Sequence, residues 1–271
     1  MQRQRPSLVL GVALLGLALA APDPLRSQEE GISLRFKPAF HFEYFSRTIG
    51  WDADPISGED LYSSKLQMPL GLFSLGIEFQ EGFSIGLLAG YGFSNFNGLV
   101  FRQLPFSIDY EADSIGAFLI GAEINKTMLS SGFFEMGAVV RYVLYLGSTK
   151  NFTIDQLNEN GTFDVKGTWM RLQAGPIFYY RGYENLSPFL SVTFDKLWGT
   201  FTMNETIKDL IGSEKKKISG KGIFGISLGT IFEPSAYLSL KVEGTIIPFY
   251  KGSGLGWGVD YGASLRAALS F

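Results

Sequence analysis

From Gly256 to the terminal Phe271 the chain alternates without a break. Trp257, Val259, Tyr261, Ala263, Leu265, Ala267, Leu269 and Phe271 share one face, while Gly258, Asp260, Gly262, Ser264, Arg266, Ala268 and Ser270 share the other. Successive side chains of a β-strand point to opposite sides, so a period of two held over this length reads as one long amphipathic strand.

The same alternation recurs upstream. From Ile32 it sets Ile32, Leu34, Phe36, Phe40, Phe42 and Tyr44 against Ser33, Arg35, Lys37, His41, Glu43 and Arg47, with Pro38 in the apolar row at an expected bulge. A second strand is expected over Lys65–Gln80. Its parity changes near Phe73 and Ser74, between Leu66, Met68, Leu70, Leu72 and Leu75, Ile77, Phe79, and a one-residue bulge accounts for the change. Further strands are expected over 83–94, 114–125, 134–145, 169–181, 190–195, 224–232 and 238–246. With the closing strand these make ten. The connections after the first, third, fifth and seventh are long, and those after the second, fourth, sixth and eighth are short. Long outer loops alternating with short inner turns put both termini on the inner side of a membrane barrel.

A strand of this kind, with aromatic residues near both ends of its apolar face and a C-terminal Phe, resembles the closing strand of bacterial outer-membrane β-barrels, the broad family that includes opacity-type proteins. The resemblance implies an all-β protein, a closed ten-stranded antiparallel transmembrane up-and-down barrel in the bacterial outer membrane. It also implies that Tyr261, Leu265, Leu269 and Phe271 form the signal read by the barrel assembly machinery. Outer-membrane lipid and lipopolysaccharide are the surroundings such a barrel would meet.

Met1–Ala20 reads as a secretory signal: Arg3 and Arg5 start it, Leu8 to Leu19 form its apolar core, and Ala18-Leu19-Ala20 offers a small-x-small cleavage site. Residues 21–31 are a polar periplasmic lead-in, and 32–271 the barrel. Charged residues are low at 18%, aromatics high at 15%, and glycine numbers 33. That balance suits strands with lipid on one side and a crowded lumen on the other. A formal charge of −3 gives no reason to expect nucleic acid, and the absence of cysteine excludes disulfides, thiolate metal sites and a lipidated cysteine anchor.

Alternation by itself leaves open which face looks inward, and a soluble lipocalin-like barrel would bury the apolar row. Strand length, the two aromatic girdles and the terminal Phe favour the membrane form. The lumen then receives Arg35, Lys37, His41, Glu43, Arg47, Glu78, Glu123, Glu135, Arg141, Arg171, Arg181, Asp195, Lys241, Glu243, Asp260 and Arg266. Their signs nearly balance, which suggests paired charges bridging the interior and a largely filled lumen with at most a narrow path. Closure should bring Asp260 and Arg266 of the last strand beside Arg35, Glu43 and Arg47 of the first.

No catalytic, cofactor-binding or metal site is expected. His41 stands beside Glu43 on the luminal face and reads as a satisfied member of the charge lattice. Omptin-type proteases would need a histidine at the outer rim, and outer-membrane phospholipases one with a serine on the lipid side. Asp52, Asp54, Glu59 and Asp60 read as a solvated loop, as does the Lys215-Lys216-Lys217 run. The connection 95–110 is unusually apolar, with Phe96, Leu99, Val100, Phe101, Leu104, Phe106 and Ile108. It either packs on itself, extends its hairpin, or forms a contact patch for an extracellular partner. The expected function is porin-like or surface-structural, with surface interaction through the loops as the alternative and a hydrolase as the weakest reading.

Overall fold

The computed structural model describes residues 35–51, 63–80, 82–101, 108–110, 114–153, 161–207, 209–251 and 256–270. The signal segment, the lead-in, the first acidic loop and Phe271 lie outside them. The strands are β1 (Arg35–Trp51), β2 (Ser63–Gln80), β3 (Phe83–Asn97), β4 (Leu99–Phe101), β5 (Ile108–Tyr110), β6 (Ile115–Ser131), β7 (Phe134–Gly147), β8 (Lys150–Thr153), β9 (Gly161–Tyr180), β10 (Leu186–Ile207), β11 (Leu210–Gly220), β12 (Phe224–Ser235), β13 (Leu238–Tyr250) and β14 (Trp257–Leu269).

Antiparallel pairing runs β10-β12-β13-β14-β1-β2-β3-β6-β7-β9, and β9 pairs back onto β10, so ten strands close a ring among the described residues. These ten correspond one for one to those expected from the alternation. The closing seam joins β1 to β14 from Ala39↔Ala268 to Ser46↔Tyr261. Closure leaves no open edge at membrane depth, where an unpaired amide has no water to turn to. Large apolar side chains cover the outside: Phe42 and Leu87 are each 65% exposed, Phe118 63% and Leu228 70%. A closed barrel with such a belt is a transmembrane, outer-membrane-type barrel.

The strands are unequal. β9 and β10 run 20 and 22 residues, while β12, β13 and β14 run 12 or 13. Above the short three, β11 pairs with β10 from Trp198↔Ser219 to Ile207↔Leu210 and with β1 from Ile49↔Gly220 to Trp51↔Ile218. The outer end is therefore closed by a second ring of pairings, β1-β2-β3-β6-β7-β9-β10-β11, in which one strand replaces three. A barrel of eight strands is just wide enough for side chains to fill it, whereas ten leave spare room. The molecule has a ten-stranded inner storey and an eight-stranded outer storey.

This narrowing corrects several expectations. No bulge lies at Phe73 and Ser74: the β1–β2 register runs unbroken from Gly50↔Ser63 to Arg35↔Glu78, and the β2–β3 shift comes at Glu78/Gln80. Leu66, Met68, Leu70 and Leu72 are buried because they point inward, Leu72 and Leu70 at the level of His41 and Glu43 and Met68 and Leu66 above them, while Phe73 and Leu75 point to lipid. The apolar parity changes because the interior changes from polar to apolar, not because the strand slips. Pro38 needs no bulge either, since the β2 register crosses it and pairing with β14 begins only at Ala39. The long connections expected after the fifth and seventh strands are, among the described residues, largely β8, β11 and extensions of β9 and β10.

Close packing in the outer storey depends on small residues opposite large ones. Gly199 of β10 sits directly across from Trp169 of β9, and a Cβ at Gly199 would stand 2.5 Å from both Cα and Cβ of Trp169. Gly199→Val is expected to destabilise the barrel by about 1–3 kcal/mol through overpacking. The check is a lowered urea midpoint for unfolding in detergent.

Candidate functional site

The lumen is built by the inward row of each strand, and β1 shows its sequence of environments: Lys37, Ala39, His41 and Glu43, then Phe45 and Arg47, then Ile49 and Trp51. The lower members belong to the polar inner storey. Arg141 on β7 reaches across to Glu43 on β1 at 2.5 Å, and Arg266 on β14 reaches Glu123 on β6 at 3.1 Å. Neither pair joins neighbouring strands, so both brace the ring across its interior. Asn125 donates to Glu123 at 2.9 Å, and Arg141 Nε lies 3.9 Å from the other Glu123 oxygen.

The remaining inner-storey charges pair locally: Lys241–Glu243 and Lys37–Glu78 at 2.7 Å each, and Arg181–Glu135 at 3.2 Å with Glu233 at 3.9 Å. Arg35 is exposed at the start of β1. Between these groups lies a cavity of about 310 Å³, lined by Lys37, Glu43, Glu123, Arg141, Lys241, Arg266 and others, extending from Ser270 and Ser239 up to Phe45. His41 is buried, with Nε2 2.8 Å from Ser74 Oγ.

A buried layer of charge separates the storeys. Asp195 on β10 accepts from Arg47 Nη1 at 2.7 Å, Arg171 Nη2 at 2.6 Å and Gln173 Nε2 at 3.0 Å. Arg47 also donates through Nη2 to the Gly222 carbonyl at 3.0 Å and to that of Lys221 at 3.3 Å, and its Nε lies 3.6 Å from Asp260. Asp260 is further held by the Thr48 backbone N–H at 2.7 Å and the Thr48 hydroxyl at 2.8 Å. The seam strand β14 thus meets β1 through Asp260 and Arg47, while its Arg266 crosses to Glu123. Arg171 also lies 4.8 Å from the centre of the Phe45 ring, on the aromatic packing above.

The outer storey is filled mainly by apolar side chains, with Glu205 of β10 and Glu214 and Lys216 of β11 buried among them. Phe96, Phe101, Tyr145, Trp169 and Phe201 meet there with ring centroids 4.9–5.8 Å apart: Phe96–Phe201 at 4.9 Å, Phe96–Trp169 at 5.5 Å, and Tyr145–Trp169 and Phe101–Phe201 at 5.8 Å. Phe96 comes from β3 and Trp169 from β9, so this packing spans the lumen. Of the apolar connection, Phe96, Leu99 and Phe101 are fully buried in this core, and β4 and β5 form a small hairpin. Those three are therefore no contact patch: the narrow storey needs them as filling. Leu104 and Phe106 lie outside the described residues, as do the side chains of Val100 and Ile108.

Lys215, Lys216 and Lys217 lie on β11 rather than in a loop tip. Lys216 is buried, 2.6 Å from Glu214 and 4.8 Å from the Trp51 ring, while Lys215 and Lys217 are exposed. Tyr261, Leu265 and Leu269 project outward from β14. The acidic residues Asp52, Asp54, Glu59 and Asp60 lie outside the described residues. The sequence reading missed Ser74, Gln173, Thr48 and the aromatic filling. The unbroken parity of Leu66 to Leu72, taken as inward, was the available signal for the last.

No family model matches the chain, and no curated protein sequence matches it. Among solved structures, it is similar to the outer membrane protease OmpT from Escherichia coli, with 12% identity and a TM-score of 0.47, covering 90% of this chain and 99% of that one. It is also similar to the translocator domain of the autotransporter NalP from Neisseria meningitidis, with 14% identity, a TM-score of 0.49 and coverage of 98% and 97%. The outer membrane protein OprG from Pseudomonas aeruginosa aligns at 12% identity and a TM-score of 0.37, covering 89% and 97%. Similarities of this size transfer no activity.

Asp195 balances two arginines in a fully buried layer. Asp195→Ala leaves both cations without their carboxylate and is expected to cost about 3–5 kcal/mol of stability. Urea unfolding followed by tryptophan fluorescence checks it; a variant within about 1 kcal/mol of the parent would show that the layer is not a structural brace.

Proposed function

We propose that the protein is a surface-structural outer-membrane barrel whose lumen is closed at rest, with no catalytic role. The observation that supports this reading is the aromatic packing of Phe96, Trp169 and Phe201 across the eight-stranded outer storey. Rings meeting from opposite walls make a constriction that opposes the passage of water and ions between the polar inner cavity and the outer side. His41 is buried and bonded to Ser74 beneath this packing, away from both the lipid face and the outer rim, where the hydrolytic barrels considered above would need it.

Porin-like passage is the runner-up and requires the aromatic packing to move. Surface interaction is a second reading, favoured by the tip of the β10–β11 hairpin, where Leu210 is 55% and Ile211 79% exposed. The deciding measurement is single-channel conductance in planar bilayers. The parent protein is expected to give no steady openings, and a Phe96→Ala/Trp169→Ala/Phe201→Ala variant to give them. Large, steady openings of the parent protein would overturn the closed-lumen reading.

A further inference from the structure

The step between the two storeys leaves a notch on the outside. Pairing of β14 with β1 ends at Ser46 and β11 takes that edge from Ile49, and there a cavity of about 270 Å³ opens between the tops of β13 and β14 and the outward face of β1 and β2. It is lined by Thr48, Ser63, Phe249, Gly258 and Val259 together with three lysines, Lys65, Lys221 and Lys251. Two of the lysines are fixed at their backbones: Lys221 N–H donates to the Thr48 carbonyl at 2.8 Å and Lys251 N–H to the Gly256 carbonyl at 3.0 Å. Lys251 lies back over Gly258, where a Cβ would stand 2.8 Å from its Cε.

Charge decides what such a notch would take. The carboxylate at this notch is Asp260, 3.8 Å from Lys65, and it is already engaged by Thr48 and Arg47. Among the described residues no carboxylate pairs with Lys221 or Lys251. The inner cavity differs, because each of its cations has a partner. Position decides the rest. Trp257 is 73% and Tyr250 55% exposed, with ring centroids 5.9 Å apart at the outer end of the apolar belt. Aromatic residues of that kind mark the level of the headgroups, and Lys251 directly follows Tyr250.

We propose that this notch binds the phosphate of an anionic amphiphile in the outer leaflet, its headgroup between Lys65, Lys221 and Lys251 and its acyl chains running down past Tyr250, Val259 and Trp257. Neighbouring lysines recognise phosphate as point charges, and binding of this kind weakens as salt screens it. The site does not depend on whether the lumen conducts.

The probe is lipid A, titrated onto the full-length mature protein in zwitterionic detergent and followed by native mass spectrometry, with inorganic phosphate as competitor. One lipid A per barrel is expected. Lys65→Gln/Lys221→Gln/Lys251→Gln should weaken retention by about tenfold or more, while Lys215→Gln/Lys217→Gln, which removes exposed charge elsewhere, should leave it unchanged. Lys251→Gln alone, at the end of a strand, serves if the triple variant does not fold, and a several-fold loss is expected of it. Equal retention by the parent and the notch variants overturns the proposal, as does an equal loss in the β11 variant. Retention of lipid A undisturbed by millimolar inorganic phosphate supports the amphiphile. Phosphate binding without lipid A retention assigns a soluble-anion site and overturns it.

Discussion

A backbone amide in hydrocarbon must find its partner within the protein, and the whole structure follows from how that demand is met twice at two circumferences. In the inner storey, ten strands close through the β1–β14 seam. Beyond the ends of β12, β13 and β14 the longer strands still need an edge partner, and β11 supplies it to both β10 and β1. The number of strands in each ring sets its bore, and the bore sets what the inward side chains must be.

The change in filling is a consequence of that geometry. Ten strands enclose more space than their side chains occupy, so polar groups can remain wet and pair across the interior, as Arg141–Glu43 and Arg266–Glu123 do. Eight strands bring facing side chains into contact, and aromatic rings meet from opposite walls. At the boundary, Arg47 and Asp195 are wholly buried, and the arrangement is tolerable because each is engaged by several groups rather than one. A buried ion pair of this kind adds little net stability when compared with apolar filling, yet the loss of one member is costly. Its three-strand contact among β1, β9 and β10 holds the register at the level where the ring narrows.

The same step shapes the outer surface. A uniform ten-stranded wall would carry the apolar belt straight into the loops. Here three strands stop early, the wall recedes, and lysines from three separated parts of the chain line the recess. No local pattern could have joined Lys65, Lys221 and Lys251, because they are brought together by ring closure and by the return of β11 onto β1.

Outside β2, strand parity was legible in the chain, since a period of two is a local property of the backbone. That parity determined the ten barrel strands, the lipid-facing row and the inward placement of His41, Glu43, Arg141, Asp195, Asp260 and Arg266. It could not decide how many strands share each level, because that depends on pairings between residues far apart in sequence, such as Gly50 with Ser219. For that reason Leu66 to Leu72 read as a slipped strand, Phe96 and Phe101 as a possible contact surface, and Lys216 as part of a loop. Only the tertiary structure turned them into a filled interior, where an inward side chain meets another side chain instead of water.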